Sequence, residues 1–358
     1  CKSTGLVLMS SNYAHYGDLS ARVMSVLAEH APRIEVYSID ESFLDLHGRA
    51  VSDLTAWCQD LRQTVLDWTG IPVSIGIGPS KTLAKVANHI AKKSATGVCD
   101  LATDPCVIEV ALKATPAGDV WGIGRQWAKR CAEAEIVTAW DLRHAPQAWV
   151  RQQMGAVGLR TVLELSGTAV HGLEDNPEDR QSCCCSRTFG EATRSRSDVQ
   201  DAVVLFAQRA AEKLRRDELV AAAVQTFIMT DRFGSGPQRS AALTIPLSPP
   251  TFDSRSIICS AVRAFTQCWK DGFAYRKAGV LLLDLTRPQD APRDLFTPLP
   301  NPRHAALMQT IDAANARFGS GAIRFGLPAP QAVWGMRQRH RSPRYTTNWD
   351  DIPKVRIG

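Results

Sequence analysis

The chain has 358 residues, 44% of them hydrophobic and 22% charged. That is the balance of a globular protein long enough to bury a core without disulfide or metal staples. The formal net charge of +6 permits a polyanionic partner without requiring one. No apolar run approaches ~18 residues and no charged-then-apolar leader follows Cys1, so neither a membrane span nor a secretory signal is expected.

At roughly 150 residues per domain, the length predicts two or three domains. Charge is unevenly placed: residues 1–50 hold 4 basic and 6 acidic side chains, and residues 324–358 hold 7 and 2. An acidic start and a basic end suggest separate tasks. Ten cysteines are present, yet none forms a C-x-x-C and no Cys/His set has zinc-site spacing. They read as reduced thiols packed as small apolar groups in a cytoplasmic protein.

In chain order, residues 12–30 predict a helix capped by Ser11 or Asn12, with Leu19, Val23, Val26 and Leu27 on one side and Pro32 as its stop. Residues 33–46 predict two strands joined by a turn. Residues 52–68 predict a helix, residues 71–78 a short β-branched run, and residues 80–92 a second helix. Residues 117–166 look all-helical, with turns at Gly122–Gly124 and near Gly155. The polar stretch 167–182 reads as a linker. A strand at 184–189, a helix at 198–216 capped by Ser197, strands at 220–230 and 241–246, a helix at 253–270 and a strand at 275–285 follow. That βαββαβ order predicts a small open sheet with two helices on one face. Beyond Pro288 the chain turns Pro-, Arg- and Gly-rich, with one helix at about 302–318.

Three segments carry the chemistry. The first is Tyr37-Ser38-Ile39-Asp40-Glu41. Neighbours on a regular strand point to opposite faces, so Asp40 and Glu41 can share a site only at a turn or bulge. Two readings fit: a solvated hairpin tip, or a pair of hard oxygen donors for divalent cations in phosphoryl transfer. The second is Gly76-Ile77-Gly78-Pro79-Ser80-Lys81 and the helix after it. It lacks the G-x-x-x-x-G-K-[ST] of a phosphate loop. Lys81, Lys85 and Lys92 lie four and seven apart on one face, either a solvated row or a triphosphate-binding row beside the carboxylates. The third is Trp121-Gly122-Ile123-Gly124-Arg125. It reads as an ordinary helix–helix turn, or as a helix-hairpin-helix whose backbone N–H groups hold a DNA phosphate, with Arg125, Lys129 and Arg130 adding charge.

Together, in this order and at these separations, the segments resemble the Y-family translesion DNA polymerases. The resemblance covers essentially the whole chain. It is closer to the bacterial UmuC type, that of DNA polymerase V. Ser11-Asn12-Tyr13, Ser186-Arg187-Thr188-Phe189-Gly190-Glu191, residues 210–215 (AAEKLR), Lys277-Ala278-Gly279-Val280 and residues 342–347 (SPRYTT) carry that closer match. The resemblance implies a multidomain α+β, Y-family polymerase-like fold. Residues 1–11 would end the fingers, 12–104 form a partial palm, 105–182 the thumb, 183–287 the little finger and 288–358 a UmuC-type C-terminal region.

It further implies error-prone translesion synthesis in the SOS response, without proofreading. Asp40 would bridge two Mg²⁺ ions, Glu41 would ligate the catalytic one, and Lys92 would bind the triphosphate. Gly122, Ile123 and Gly124 would hold the DNA backbone, and Arg187 would contact template DNA. Arg194 and Arg196 fit either that role or a solvated surface. Implied partners are primer-template DNA, dNTP, a processed UmuD-like dimer, RecA and the sliding clamp, the last through Leu295 and Phe296, although the usual Gln of the clamp peptide is absent.

One departure stands out. The family's third metal-binding Asp and its steric gate lie in a D-x-N-x-F-Y segment, and none precedes Asp40 here. The expectation is that the chain starts at the end of the fingers and does not polymerise alone. The alternative is a non-catalytic, polymerase-like repair scaffold, which retention of Asp40 and Glu41 argues against.

Overall fold

A computed structural model describes residues 5–48, 53–174, 180–292, 302–319, 321–326 and 340–355. The chain divides into two compact units, one of residues 1–177 with 341–358, the other of residues 178–340.

The first unit begins with helix α1 (Tyr13–His30). Asn12 caps it, and Val23, Val26 and Leu27 are buried against Leu61 and Val65 of α2 (Leu54–Thr69). β1 (Arg33–Val36) pairs antiparallel with β2 (Ser42–Asp45). β3 (Ile75–Ile77) pairs in parallel with β4 (Val98–Asp100). Between them runs α3 (Lys81–Ala91), capped by Ser80. The glycines before α3 serve packing: a Cβ on Gly76 would come within 2.1 Å of the Asn88 amide nitrogen, and one on Gly78 within 2.6 Å of that of Ala84. Only glycine lets β3 approach the helix backbone this closely.

Four further helices follow: α4 (Pro105–Ala114), α5 (Arg125–Glu133), α6 (Ala139–His144) and α7 (Gln147–Leu165). The predicted all-helical stretch is present, with a single 3₁₀ turn at Ala117–Asp119 before α5. Their core joins Leu112, Leu142, Val150 and Leu165 to Leu83, Val86 and Ala87 of α3. Each such fully buried side chain contributes on the order of 2 kcal/mol.

The last described residues, 341–355, also belong to this unit. Fully buried Asn12 donates from Nδ2 to the Ser342 carbonyl (2.9 Å), the Ser342 hydroxyl (3.1 Å) and the Pro343 carbonyl (3.3 Å). His15 Nδ1 lies 3.1 Å from Thr346 Oγ1.

The second unit is an antiparallel four-stranded sheet in the order β5-β8-β6-β7, where β5 is Ser182–Thr193, β6 Val220–Thr230, β7 Ser240–Thr251 and β8 Tyr275–Thr286. Helices α8 (Arg196–Arg216) and α9 (Ser254–Cys268) pack on it around Phe189, Phe206, Phe265 and Tyr275. The expected βαββαβ order is present, with β5 longer at both ends than the predicted 184–189 and two further local differences. Ser195, not Ser197, caps α8: its hydroxyl accepts from the Asp198 amide at 3.3 Å, and Ser197 lies inside the first turn. Strand β7 also runs past Pro246, because it is the sheet's edge, where a residue without an N–H is tolerated.

Helix α10 (Pro302–Phe318) belongs to this unit. It buries Met308 and Ile311. Its Asp312 accepts both nitrogens of a fork from Arg215 of α8, at 2.6 and 2.7 Å. The same guanidinium also donates to the Phe252 carbonyl and the Ser254 hydroxyl.

Candidate active site

The five residues between β1 and β2 form the turn that the alternation argument requires. The amides of Tyr37 and Ser38 both donate to the Glu41 carbonyl, at 3.1 and 3.0 Å. The Ser38 hydroxyl donates to Asp40 Oδ1 at 2.6 Å and accepts from the Asp40 amide at 3.3 Å. That hydroxyl, above all, holds the exposed Asp40 carboxyl below the ordinary aspartate range, against the opposing effect of burial. Asp40's own amide and the charges of Lys92 and Lys85 add to it. Asp40 is therefore ionised at neutral pH and open to solvent.

Glu41 is half-buried and pairs with Lys85 Nζ at 2.6 Å. Lys85 also sits 5.5 Å from the Tyr37 ring centroid. One turn earlier on α3, Lys81 pairs with Glu35 of β1 at 2.5 Å, both side chains being only about a tenth exposed. Lys81 lies 5.1 Å from the Phe43 ring centroid. The lysine row is thus not uniform. Lys81 is committed to Glu35, Lys85 bridges to Glu41, and Lys92 stands exposed at the helix C-cap within electrostatic range of Asp40.

Two contacts fix α3 and the hairpin to the helical part of the unit. Glu164 on α7 has no exposed surface. One carboxylate oxygen accepts from the Thr82 amide (3.0 Å), and the other from the amides of Val170 (2.7 Å) and His171 (2.9 Å). Its backbone carbonyl accepts from the Ser80 hydroxyl at 2.7 Å. Burial alone would raise the Glu164 pKa; the amides of His171, Thr82 and Val170 outweigh it and the pKa is lowered. The second contact is aromatic. Trp121 packs edge-on against Tyr37 (5.6 Å between centroids) and His171 (5.8 Å), and tilted against Phe43 (5.8 Å). Its Nε1–H donates to the Tyr37 hydroxyl at 3.3 Å.

The turn after Trp121 needs glycine at 122, whose φ of +89° is left-handed. Gly124 is the N-cap of α5, with no side chain supplying a cap. Gly122, Gly124 and Arg125 are exposed, and Ile123 is buried as the anchor.

The structure therefore brings together Asp40, Glu41, Lys85 and Lys92, with Lys81 and Trp121 beside them. Among the described residues no group of three or more His, Cys, Asp or Glu side chains gathers as a metal site, so Asp40 and Glu41 stand as a pair. Arg187 is exposed on β5 of the second unit. Leu295 and Phe296 lie outside the described residues. Sequence reasoning passed over Glu35, Trp121's contact with Tyr37, and Glu164. A lone acid among the apolar positions of α7 was the available signal for the last.

Comparisons with known proteins give the family. Residues 1–89 match the impB/mucB/samB family, and residues 180–295 match its C-terminal domain. Residues 305–355 match a domain of unknown function, DUF4113. Protein UmuC of Salmonella typhimurium (strain LT2) is 39% identical over 99% of this chain and 85% of its own length. The chain belongs to the UmuC-type Y-family DNA polymerases. Protein ImpB of Salmonella typhimurium is 39% identical over 98% of the chain and 84% of its own length. DNA polymerase IV 1 of Halalkalibacterium halodurans is 26% identical, over 91% and 77%. A solved Y-family polymerase chimera of Dbh and Dpo4 superimposes with a TM-score of 0.59 at 19% identity, covering 77% of this chain and 78% of that one. This last likeness concerns the α+β polymerase-like fold. Family membership makes the protein a DNA-directed DNA polymerase of family Y, acting in error-prone translesion synthesis in the SOS response.

Proposed function

We propose that the Tyr37–Glu41 turn is the metal-binding centre of this polymerase, with Asp40 and Glu41 as its ligands in this chain. The observation that carries the reading is the exposed, ionised Asp40 carboxylate beside Glu41, with Lys85 and Lys92 close by. Family members use divalent metal ions, and Mg²⁺ suits this donor set: hard carboxylate oxygens on a tip that leaves room for waters and substrate phosphates. When bound, Mg²⁺ would lower the pKa of the primer 3′-hydroxyl and neutralise the pyrophosphate leaving group.

The chain's own residues do the rest. Asp40, fixed by Ser38, presents an unpaired carboxylate oxygen. Lys85 pairs with Glu41; with a cation held by Glu41, Lys85 would be free to face the triphosphate, where Lys92 would add a second charge. Lys81, tied to Glu35, holds the hairpin against α3 and serves the nucleotide through position rather than contact. Gly122, Ile123, Gly124 and Arg125 are the proposed DNA-backbone turn, and Trp121 links that turn to Tyr37. Arg187 is the proposed template contact in the second unit.

The same reading assigns residues 1–11 to the end of the fingers, 12–104 to the palm, 105–182 to the thumb, 183–287 to the little finger and 288–358 to the C-terminal region. A UmuD-like dimer, RecA and the sliding clamp, the last through Leu295 and Phe296, are the proposed partners in the cytoplasm. No helix among the described residues is long and apolar enough to cross a membrane.

Asp40→Ala is expected to abolish Mg²⁺-dependent primer extension by the polymerase while leaving DNA affinity within about twofold. Persistent extension would remove Asp40 from the centre.

A further inference from the structure

Among the described residues of the second unit, β5 and α8 line a cleft, open to solvent on one side, of about 380 Å³. Cys184, Cys185, Ser186 and Arg187 line it from the strand; Phe206, Arg209, Glu212, Lys213 and Arg216 line it from the helix. Four of these side chains are cationic and one is acidic. Glu212 is turned to Gln208, whose Nε2 donates to it at 2.9 Å. Arg216 reaches Asp217 at 3.3 Å, on an exposed rim. Arg187 and Arg209 have no ion-pair partner among the described residues. The cavity thus holds uncompensated positive charge around the Cys185 thiol, and its volume falls in the lower range for small-molecule sites.

We propose that Cys185 is a thiol-modification site that reacts with disulfides carrying carboxylate groups. The cavity gives the thiol its access, since Cys185 is only 7% exposed. Arg187, Arg209, Lys213 and Arg216 supply the counter-charge for the incoming carboxylates. Cys183 lies two residues earlier on the same face of β5. Its neighbouring thiol is the main cause lowering the Cys185 pKa; it outweighs burial, with Lys213 and Arg209 adding to it, while the Cys183 pKa is raised. Arg180 adds positive charge near Cys183, and across the ladder Cys185 faces Val280 of β8, which carries none. A thiol in an electropositive, partly enclosed site is where thiolate reactivity concentrates.

In the reaction the Cys185 thiolate attacks one sulfur of the disulfide. The S–S bond of the reagent breaks, a mixed disulfide forms on Cys185, and the other half leaves as a thiolate that takes a proton from solvent. No further oxidant is needed.

Three reagents test this on the full chain: glutathione disulfide (anionic), 2-hydroxyethyl disulfide (neutral) and cystamine (cationic), with adducts at each cysteine quantified by peptide mass spectrometry. At Cys185 the anionic reagent should outrun the cationic one by about tenfold or more, despite its bulk, because a cavity of one sign concentrates counter-charged reactants. Exposed Cys106 should show no such order, and high salt should collapse the order at Cys185. Arg209→Ala with Arg216→Ala should narrow the ratio, and Lys213→Met should move the rate–pH profile of Cys185 upward. Adducts confined to Cys106, Cys184 and Cys259, or equal rates for all three reagents at Cys185, would overturn the proposal. The reagent series on the unmodified chain needs no variant to fold.

Discussion

Asp40 sits on an exposed turn with one side-chain donor, whereas Glu164 is wholly buried and accepts three backbone N–H groups. Both carboxylates are held in the charged form, by different means and to different ends. At Asp40 one oxygen is engaged and the rest of the group faces solvent, so a cation can still be coordinated. At Glu164 one oxygen is engaged by the amide of Thr82, far away in the chain, and the other by the adjacent amides of Val170 and His171. That charge is used to join α3, α7 and the segment after it. Charge alone therefore does not mark a reactive carboxylate; the number of donors already committed to it does.

Substitutions should separate the two regions. The largest effect on stability is expected for Glu164→Ala. Each amide left buried without an acceptor costs about 1–3 kcal/mol, so the first unit should lose a few kcal/mol in urea denaturation. Asp40→Ala, an exposed change, should stay within about 0.5 kcal/mol of the parent. Equal losses for both would break the contrast.

Acid should expose the same difference. Because folding lowers the Glu164 pKa, its contribution is complete above the unfolded glutamate value of about 4.3. It is lost as pH falls through the lower folded value. Thermal midpoints of the parent protein should therefore drop more steeply below about pH 4 than those of Glu164→Gln, which has no such proton to bind. Parallel curves would show that Glu164 is not the group responsible.

Smaller effects belong to the turn. Lys85→Met removes the partner of Glu41. A partly exposed ion pair is worth about 0.2–1 kcal/mol, so Mn²⁺ affinity measured by titration should rise by no more than about fivefold, while the KM for dNTP increases. Ser38→Ala is the mildest change. Asp40 loses its main donor, its pKa rises, and the acid limb of metal binding shifts to higher pH with the melting temperature unchanged. An unmoved limb would mean that the hydroxyl does not set the charge on Asp40.

The elements were legible where local signals sufficed. Alternation placed the strands around residue 40, and the Asp-Glu pair could only share a turn. The helix at 302–318 and the strand at 220–230 follow from composition and period. The cap of α8 was misplaced by two residues because Ser195 and Ser197 are equivalent in type, and only the backbone path decides between them. The roles of the lysines were half legible. Spacing put Lys81 and Lys85 on one face, but their pairing with Glu35 and Glu41 depends on how the hairpin lies on α3. Glu164 was legible only as a lone acid on α7; its partners are amides, which every residue but proline carries, so no side-chain pattern announces them. The cavity around Cys185 combines residues from β5 and α8, well separated in the chain, and likewise shows only after folding.

The return of residues 341–355 to the first unit makes the second unit an insertion within the first rather than an appended module. A single protease cut within 175–179 would then leave two fragments whose reassociation is already encoded, because the C-terminal fragment still carries the Ser342, Pro343 and Thr346 contacts to Asn12 and His15. Such a nicked protein should co-elute as one species on gel filtration. The end of the chain would act as an internal ligand, and its removal would convert a silent nick into separation of the two fragments.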